Sequence, residues 1–133
     1  MNKKRFALTV IAGFVFVFLY EFLVHGHLLM PMYDETKDLW RPEKDMEAYM
    51  SWMFGIQFFF VAILAYIYTR NYEAKGLEEG VRFGVMFGLL FAVMAFAPYA
   101  WMPISMTLAV AWAATTFVEV LLLGLIFSAI YKK

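Results

Sequence analysis

Apolar residues fall into four long runs along this chain, and polar residues are confined to the gaps between the runs and to the two ends. The runs lie at about 6–30, 48–69, 81–97 and 104–131. Each approaches or exceeds the ~20 residues that an α-helix needs to cross ~30 Å of hydrocarbon. The apolar positions are continuous rather than gathered on one helical face, as a water-facing bundle would have them. The pattern predicts an all-α fold with a single domain over 1–133. That domain is an integral membrane four-helix bundle with the bilayer as its solvent.

Punctuation between the runs sharpens the picture. Pro31 is expected to end the first helix. Residues 32–47 then form a loop with six acids against three bases, in which Trp40-Arg41-Pro42 reads as an interfacial anchor. Pro42, Glu43 and Asp45 suit the first turn of the second helix. A polar loop covers 70–82, Pro98 closes the third helix, and Tyr99, Trp101 and Pro103 mark an aromatic turn over 98–103.

Composition narrows the class further. A chain of 133 residues that is 64% hydrophobic and 20% aromatic would expose far too much apolar surface as a soluble domain. The formal net charge of zero gives no reason to expect a nucleic acid partner. The lack of cysteine excludes disulfides, iron–sulfur clusters and thiolate metal sites.

Lys3, Lys4, Arg5, Arg70, Lys75, Arg82, Lys132 and Lys133 gather on one side, against Lys37, Arg41 and Lys44 on the other. The positive-inside rule then puts both termini in the cytoplasm, with 32–47 and 98–103 on the periplasmic or exterior side. The MNKKR start looks like the basic region of a signal peptide, but the apolar run after it is too long and lacks a cleavage site. An uncleaved first helix is expected.

Two hairpins show a weak repeat. Arg5-Phe6-Ala7 opens the first helix as Arg82-Phe83-Gly84 opens the third, and Ile67-Tyr68 ends the second as Ile130-Tyr131 ends the fourth. Small residues recur every four positions at Gly80, Gly84, Gly88 and Ala92, again at Ala109 and Ala113, and again at Gly124 and Ser128. Such stripes let backbones approach closely, which predicts tight packing of the third helix on the fourth. The alternative use is a face for a second copy or a partner subunit.

Candidate chemistry is sparse. Glu21 and Glu119 are acids embedded in apolar runs. A carboxylate in lipid costs several kcal/mol or neutralises, so both are expected to face the bundle interior. On a 1.5 Å rise Glu119 lies roughly 20 Å below the outer interface and Glu21 roughly 10–14 Å, so contact is possible without being implied. Thr115, Thr116 and Trp112 extend a polar stripe toward Glu119, and Gln57 is a third interior polar group. These groups either fix helix register by bonding one another or serve a function. Glu21 and His25 stand one helical turn apart, and His27 follows Gly26, a residue that loosens the helix. Glu21, His25 and His27 could orient one another, move a proton, or contribute to a metal site. Met30, Met32, Met46, Met50, Met53, Met102 and Met106 gather toward the same side. Thioether with imidazole is a Cu(I) ligand set, so copper is the one cofactor alternative to none. Methionine is equally an ordinary gap-filler. Phosphate-binding loops, nucleophile elbows and zinc-helix motifs are absent, and catalysis by this chain alone is not expected.

His25-Gly26 with Leu28-Leu29, then Tyr33 and Arg41, Ile67-Tyr68 with Arg70, and Gly80 with Arg82-Phe83-Gly84 together resemble an uncharacterised family of small four-helix bacterial inner-membrane proteins. The resemblance implies a four-helix fold and a bacterial source, and it implies no activity. His27 and the methionines are outside the resembling motifs.

Three functions are consistent with these residues. The leading expectation is a non-enzymatic accessory subunit or scaffold that packs against other membrane-protein subunits or further copies of itself. The second is a small oligomeric transporter or channel for a proton, metal ion or small solute, working through Glu119, Gln57, Glu21 and His25. The third is a bundle that binds a lipid, quinone or haem.

Overall fold

The computed structural model describes residues 1–132, so Lys133, counted above for orientation, lies outside the described residues. All regular structure among the described residues is helical. The elements are α1 (Lys3–Leu23), α2 (Met30–Asp34), α3 (Glu43–Met46), α4 (Met50–Arg70), α5 (Leu77–Phe96) and α6 (Met106–Ile130). Among the described residues four helical stretches are long and apolar enough to cross a membrane. The four long helices run up and down as a bundle. Phe14 and Phe18 of α1 meet Phe58 and Phe54 of α4, while Phe60 and Tyr68 of α4 meet Phe91 and Phe83 of α5.

The α5–α6 pair is the closest. A Cβ added to Gly80 would lie 2.6 Å from the carbonyl oxygen of Gly124, and one at Gly84 would lie 2.8 Å from Cα of Leu121. At Gly88 it would come within 3.1 Å of the Phe117 carbonyl. Backbone meets backbone along this stripe, so the small residues are used within the chain, as the spacing predicts. Ser128 packs against Gly80, and Ala92, half-buried, continues the stripe. Gly13 plays the same part for α1, where a side chain would strike Val61, Leu123 and Phe127.

Buried side chains gather at the end that holds both termini. Val17, Leu64, Tyr68, Phe83, Phe127 and Tyr131 are among them. Phe6 packs against this cluster, so the repeat-related Phe6 and Phe83, and Tyr68 and Tyr131, all join one core. Arg5 reaches the carbonyl of Ile130, and the Asn2 amide donates to the Tyr131 hydroxyl, fastening the start of the chain to its end. The polar residues do not follow the repeat. By the same register Pro98 stands where Glu21 would be, and Ile56 where Glu119 would be.

Three boundaries differ from the hydropathy reading. The first helix does not run unbroken to residue 30. After Leu23 it opens into a π-turn over Val24–Leu28, closed by the Leu29 amide donating to the Val24 carbonyl at 2.9 Å. Pro31, expected as a terminator, instead sits in the first turn of α2, where its missing N–H costs nothing. Residues 32–47, expected as a loop, are a chain of short helical turns. The third long helix begins at Leu77, not 81, because its first turn is polar and hydropathy cannot register it. Glu79 in that turn is 3% exposed, and its two carboxyl oxygens accept the amides of Glu73 and Lys75 at 2.9 and 3.1 Å. Gly76, at φ +64°, lets the chain turn into the helix. Lys75 and Arg82 flank the exposed Glu73 carboxyl and hold it below the usual carboxylate range.

Two outcomes follow for stability. Gly80→Ala and Gly124→Ala should each cost about 1–3 kcal/mol by forcing backbone apart. Gly55→Ala, with nothing within 4 Å of the added carbon, should be neutral or stabilising by up to about 1 kcal/mol. Unfolding in mixed detergent micelles measures both, and equal losses at the three sites would refute the close-packed stripe. Glu79→Ala should leave two loop amides unpaired, costing about 1–3 kcal/mol. Hydrogen exchange at Glu73 and Lys75 should then accelerate while the Leu123–Phe127 amides keep their protection.

Candidate functional site

The end opposite the termini is capped rather than sealed. Residues 30–46 fold over the N-terminal end of α6, where Met32, Tyr33 and Trp40 pack on Ile104, Leu108 and Ala109. Beneath this cap is an open cavity of about 1090 Å³. Its wall includes Glu21 and His25 from the first helix, Tyr33 and Trp40 from the cap, and Trp112 and Thr116 from α6. Asp34, Lys37, Arg41 and Glu43 also line it, two acids against two bases. Arg41 lies over the Tyr49 ring at 3.7 Å.

A line of hydrogen bonds crosses the cavity wall. The Trp112 indole N–H donates to the Tyr33 hydroxyl at 2.7 Å. That hydroxyl pairs with Nδ1 of His25 at 2.5 Å. With the phenol donating, Nδ1 is the accepting nitrogen, and Nε2 is left to donate toward Glu21 Oε2 at 3.3 Å. Burial lifts the Tyr33 phenol above its ordinary range despite the opposing pull of the Trp112 N–H, and the nearby Glu21 adds to the lift. It therefore remains a protonated donor at neutral pH. The line spans residues 21 to 112, and the π-turn and α2 make it possible. One adds a residue to the first helix just where His25 leaves it, and the other brings Tyr33 back onto His25.

Glu119 lies one turn beyond Thr116, toward the termini. It is 5% exposed, and its Oε1 has no hydrogen-bond partner. Glu21 is close enough for the two charges to interact and for the two carboxyls to share a hydrogen bond when one holds a proton. The two acids that the sequence separates by almost a hundred residues thus form one pair, between α1 and α6. Tyr20 fastens the same two helices, its hydroxyl donating to the Thr115 carbonyl at 2.6 Å. The Thr115 hydroxyl is turned back on its own helix, to the Ala111 carbonyl at 2.7 Å.

Two sequence candidates fall elsewhere. Gln57 does not line the cavity, although its Oε1 is buried without a partner. His27 is exposed and lies edge-on to Phe22 at 5.0 Å, because the wider π-turn carries it away from His25. The grouping of Glu21, His25 and His27 as metal ligands is therefore corrected: among the described residues no three His, Asp or Glu side chains gather as a ligand set. Of the methionines, Met30 and Met46 line the cavity and Met32 and Met102 pack under the cap.

Tyr33, Trp40 and Tyr20 went unrecognised as site residues. Nothing in spacing points to them, since Tyr33 meets His25 through a turn that hydropathy reads as helix end and loop. A smaller cavity of about 300 Å³ lies near the termini, by Tyr68, Glu79 and Arg82, where the buried Tyr68 hydroxyl has no partner. No protein-family model matches the chain, and neither does any curated protein or solved structure.

Proposed function

We propose that this chain is a small multi-pass transporter of a bacterial inner membrane, which admits a solute from the outer side into the capped cavity and exchanges protons at the Glu21–Glu119 pair. The observation that carries this reading is the run of partnered polar groups from the cavity wall through His25 and Glu21 to the buried Glu119. A carboxyl pair between two helices can hold one proton more readily than two charges, and a solute or potential can then shift that proton. Opposite the cavity the rings of Tyr68, Phe83, Phe127 and Tyr131 pack together, which supports access from the capped side. One-sided access around an interior site is the arrangement alternating access starts from. The accessory-subunit reading keeps the small size of the chain as support, but its glycine stripe is spent between α5 and α6.

Orientation is part of the proposal: both termini cytoplasmic, residues 32–47 outside. The lack of cysteine makes the test clean. Asp38→Cys should react with a membrane-impermeant maleimide on intact cells, and Glu78→Cys only after permeabilisation. The reverse pattern would overturn the orientation.

Proton exchange is tested with the purified chain in liposomes that contain a pH-sensitive dye, under an inside-negative potassium–valinomycin potential. Wild type should acidify the lumen at least tenfold faster than protein-free liposomes. Glu119→Gln should return the rate to the protein-free level, with its thermal unfolding checked alongside, while Glu78→Gln should change nothing. Wild type indistinguishable from protein-free liposomes would sink the transporter reading.

A further inference from the structure

The cavity wall carries an excess of acids, and that bears on what it can hold. Its aromatic and histidine donors are already engaged: the Trp112 N–H on Tyr33, the Tyr33 hydroxyl on His25, His25 toward Glu21, and the Trp40 N–H on Thr36 at 3.2 Å. Three carboxylates stand on its wall, Glu21, Asp34 and Glu43, against two bases, Lys37 and Arg41, and Glu21 is joined through His25 to Tyr33. Three carboxylates against two bases favour a ligand that carries positive charge and donates.

Aromatic rings supply the second observation. Tyr33, Trp40 and Trp112 all line the cavity. They stand 5.4, 6.2 and 6.4 Å apart by ring centroid, with interplanar angles of 81°, 69° and 38°. Three electron-rich rings set at angles attract a cation brought within about 6 Å of them, Trp most strongly. At about 1090 Å³ the space also has room for an apolar body behind the charge.

We propose that the cavity binds an organic ammonium ion: a primary or secondary amine on an apolar body, its charge against Tyr33, Trp40 and Trp112 and its N–H groups directed to the Glu21 carboxyl. This names the substrate class for the transporter reading and rests on that reading's assignment of the cavity as the solute site.

The test is binding, with no flux involved. Full-length protein in nanodiscs is titrated with three probes of matched shape, 2-phenylethylammonium, 2-phenylethanol and 3-phenylpropionate, with empty nanodiscs subtracted. Tryptophan fluorescence and calorimetry provide the readouts. The ammonium should bind at least tenfold more tightly than the alcohol, and the carboxylate should not bind. Glu21→Gln should weaken the ammonium at least tenfold and leave the alcohol unchanged. Trp40→Phe should retain most of the affinity and Trp40→Leu should lose it, which separates an aromatic face from mere bulk. Equal binding of ammonium and alcohol, preference for the carboxylate, or no binding of any probe would overturn the proposal. Selective ammonium binding without proton flux would leave it standing and remove the transporter reading. Glu119-dependent flux without ammonium selectivity would do the opposite.

Discussion

The Tyr33 hydroxyl is the point on which the capped end depends. It accepts from Trp112 and pairs with His25, so a single oxygen joins the cap, α6 and the first helix. Each partner is half-buried, and each would carry an unmet hydrogen-bonding group without it. The cap has little else to hold it: short helical turns, few buried side chains, and a small apolar cluster around Ile104 and Leu108. Position of the cavity wall, tautomer of His25 and orientation of Glu21 all follow from that one contact.

The rest of the bundle solves a different problem. Four helices with apolar residues on every face have no single apolar stripe to set their arrangement, so close packing has to define it. Glycines let α5 and α6 touch along the stripe from Gly80 to Gly88, and Gly13 lets α1 settle against Val61 and Phe127. Rings of Tyr68, Tyr72, Phe83, Phe127 and Tyr131 then fill the space at the terminal end in edge-on and tilted pairs. The tight end supplies rigidity, which leaves the capped end free to be open.

Legibility in the sequence follows from the range of each interaction. Helix number and approximate extent are local, carried by run length, and the glycine stripe is local too, carried by spacing. Glu21 beside His25 is one turn apart and could be read directly. The Glu21–Glu119 pair could be suspected from depth but not placed, since it depends on which helices are neighbours and on their rotation. Tyr33 was beyond reach. Its meeting with His25 requires a π-turn and a Pro-initiated helix, and both look like a terminator and a loop when only hydropathy is read. The early start of α5 was hidden for a related reason: its first turn is held by Glu79 accepting loop amides, a polar contact with no apolar signature.

The buried acids are hard to explain as structural devices. Two carboxyls set against each other in an apolar bundle oppose folding unless a proton is held between them, and one oxygen of Glu119 goes without any partner. The contact of α1 with α6 does not need them, since Gly13 packs against Leu123 and Phe127 and Tyr20 bonds Thr115. Well-packed leucines in their place would fold at least as well, by the general behaviour of buried charged groups. Helix register is also fixed elsewhere, by the Tyr33–Trp112 bond at the cap and the glycine contacts of α5 with α6. In the function proposed above, the pair holds a proton next to the cavity that Glu21 helps to line, a property of use to a ligand rather than to the fold.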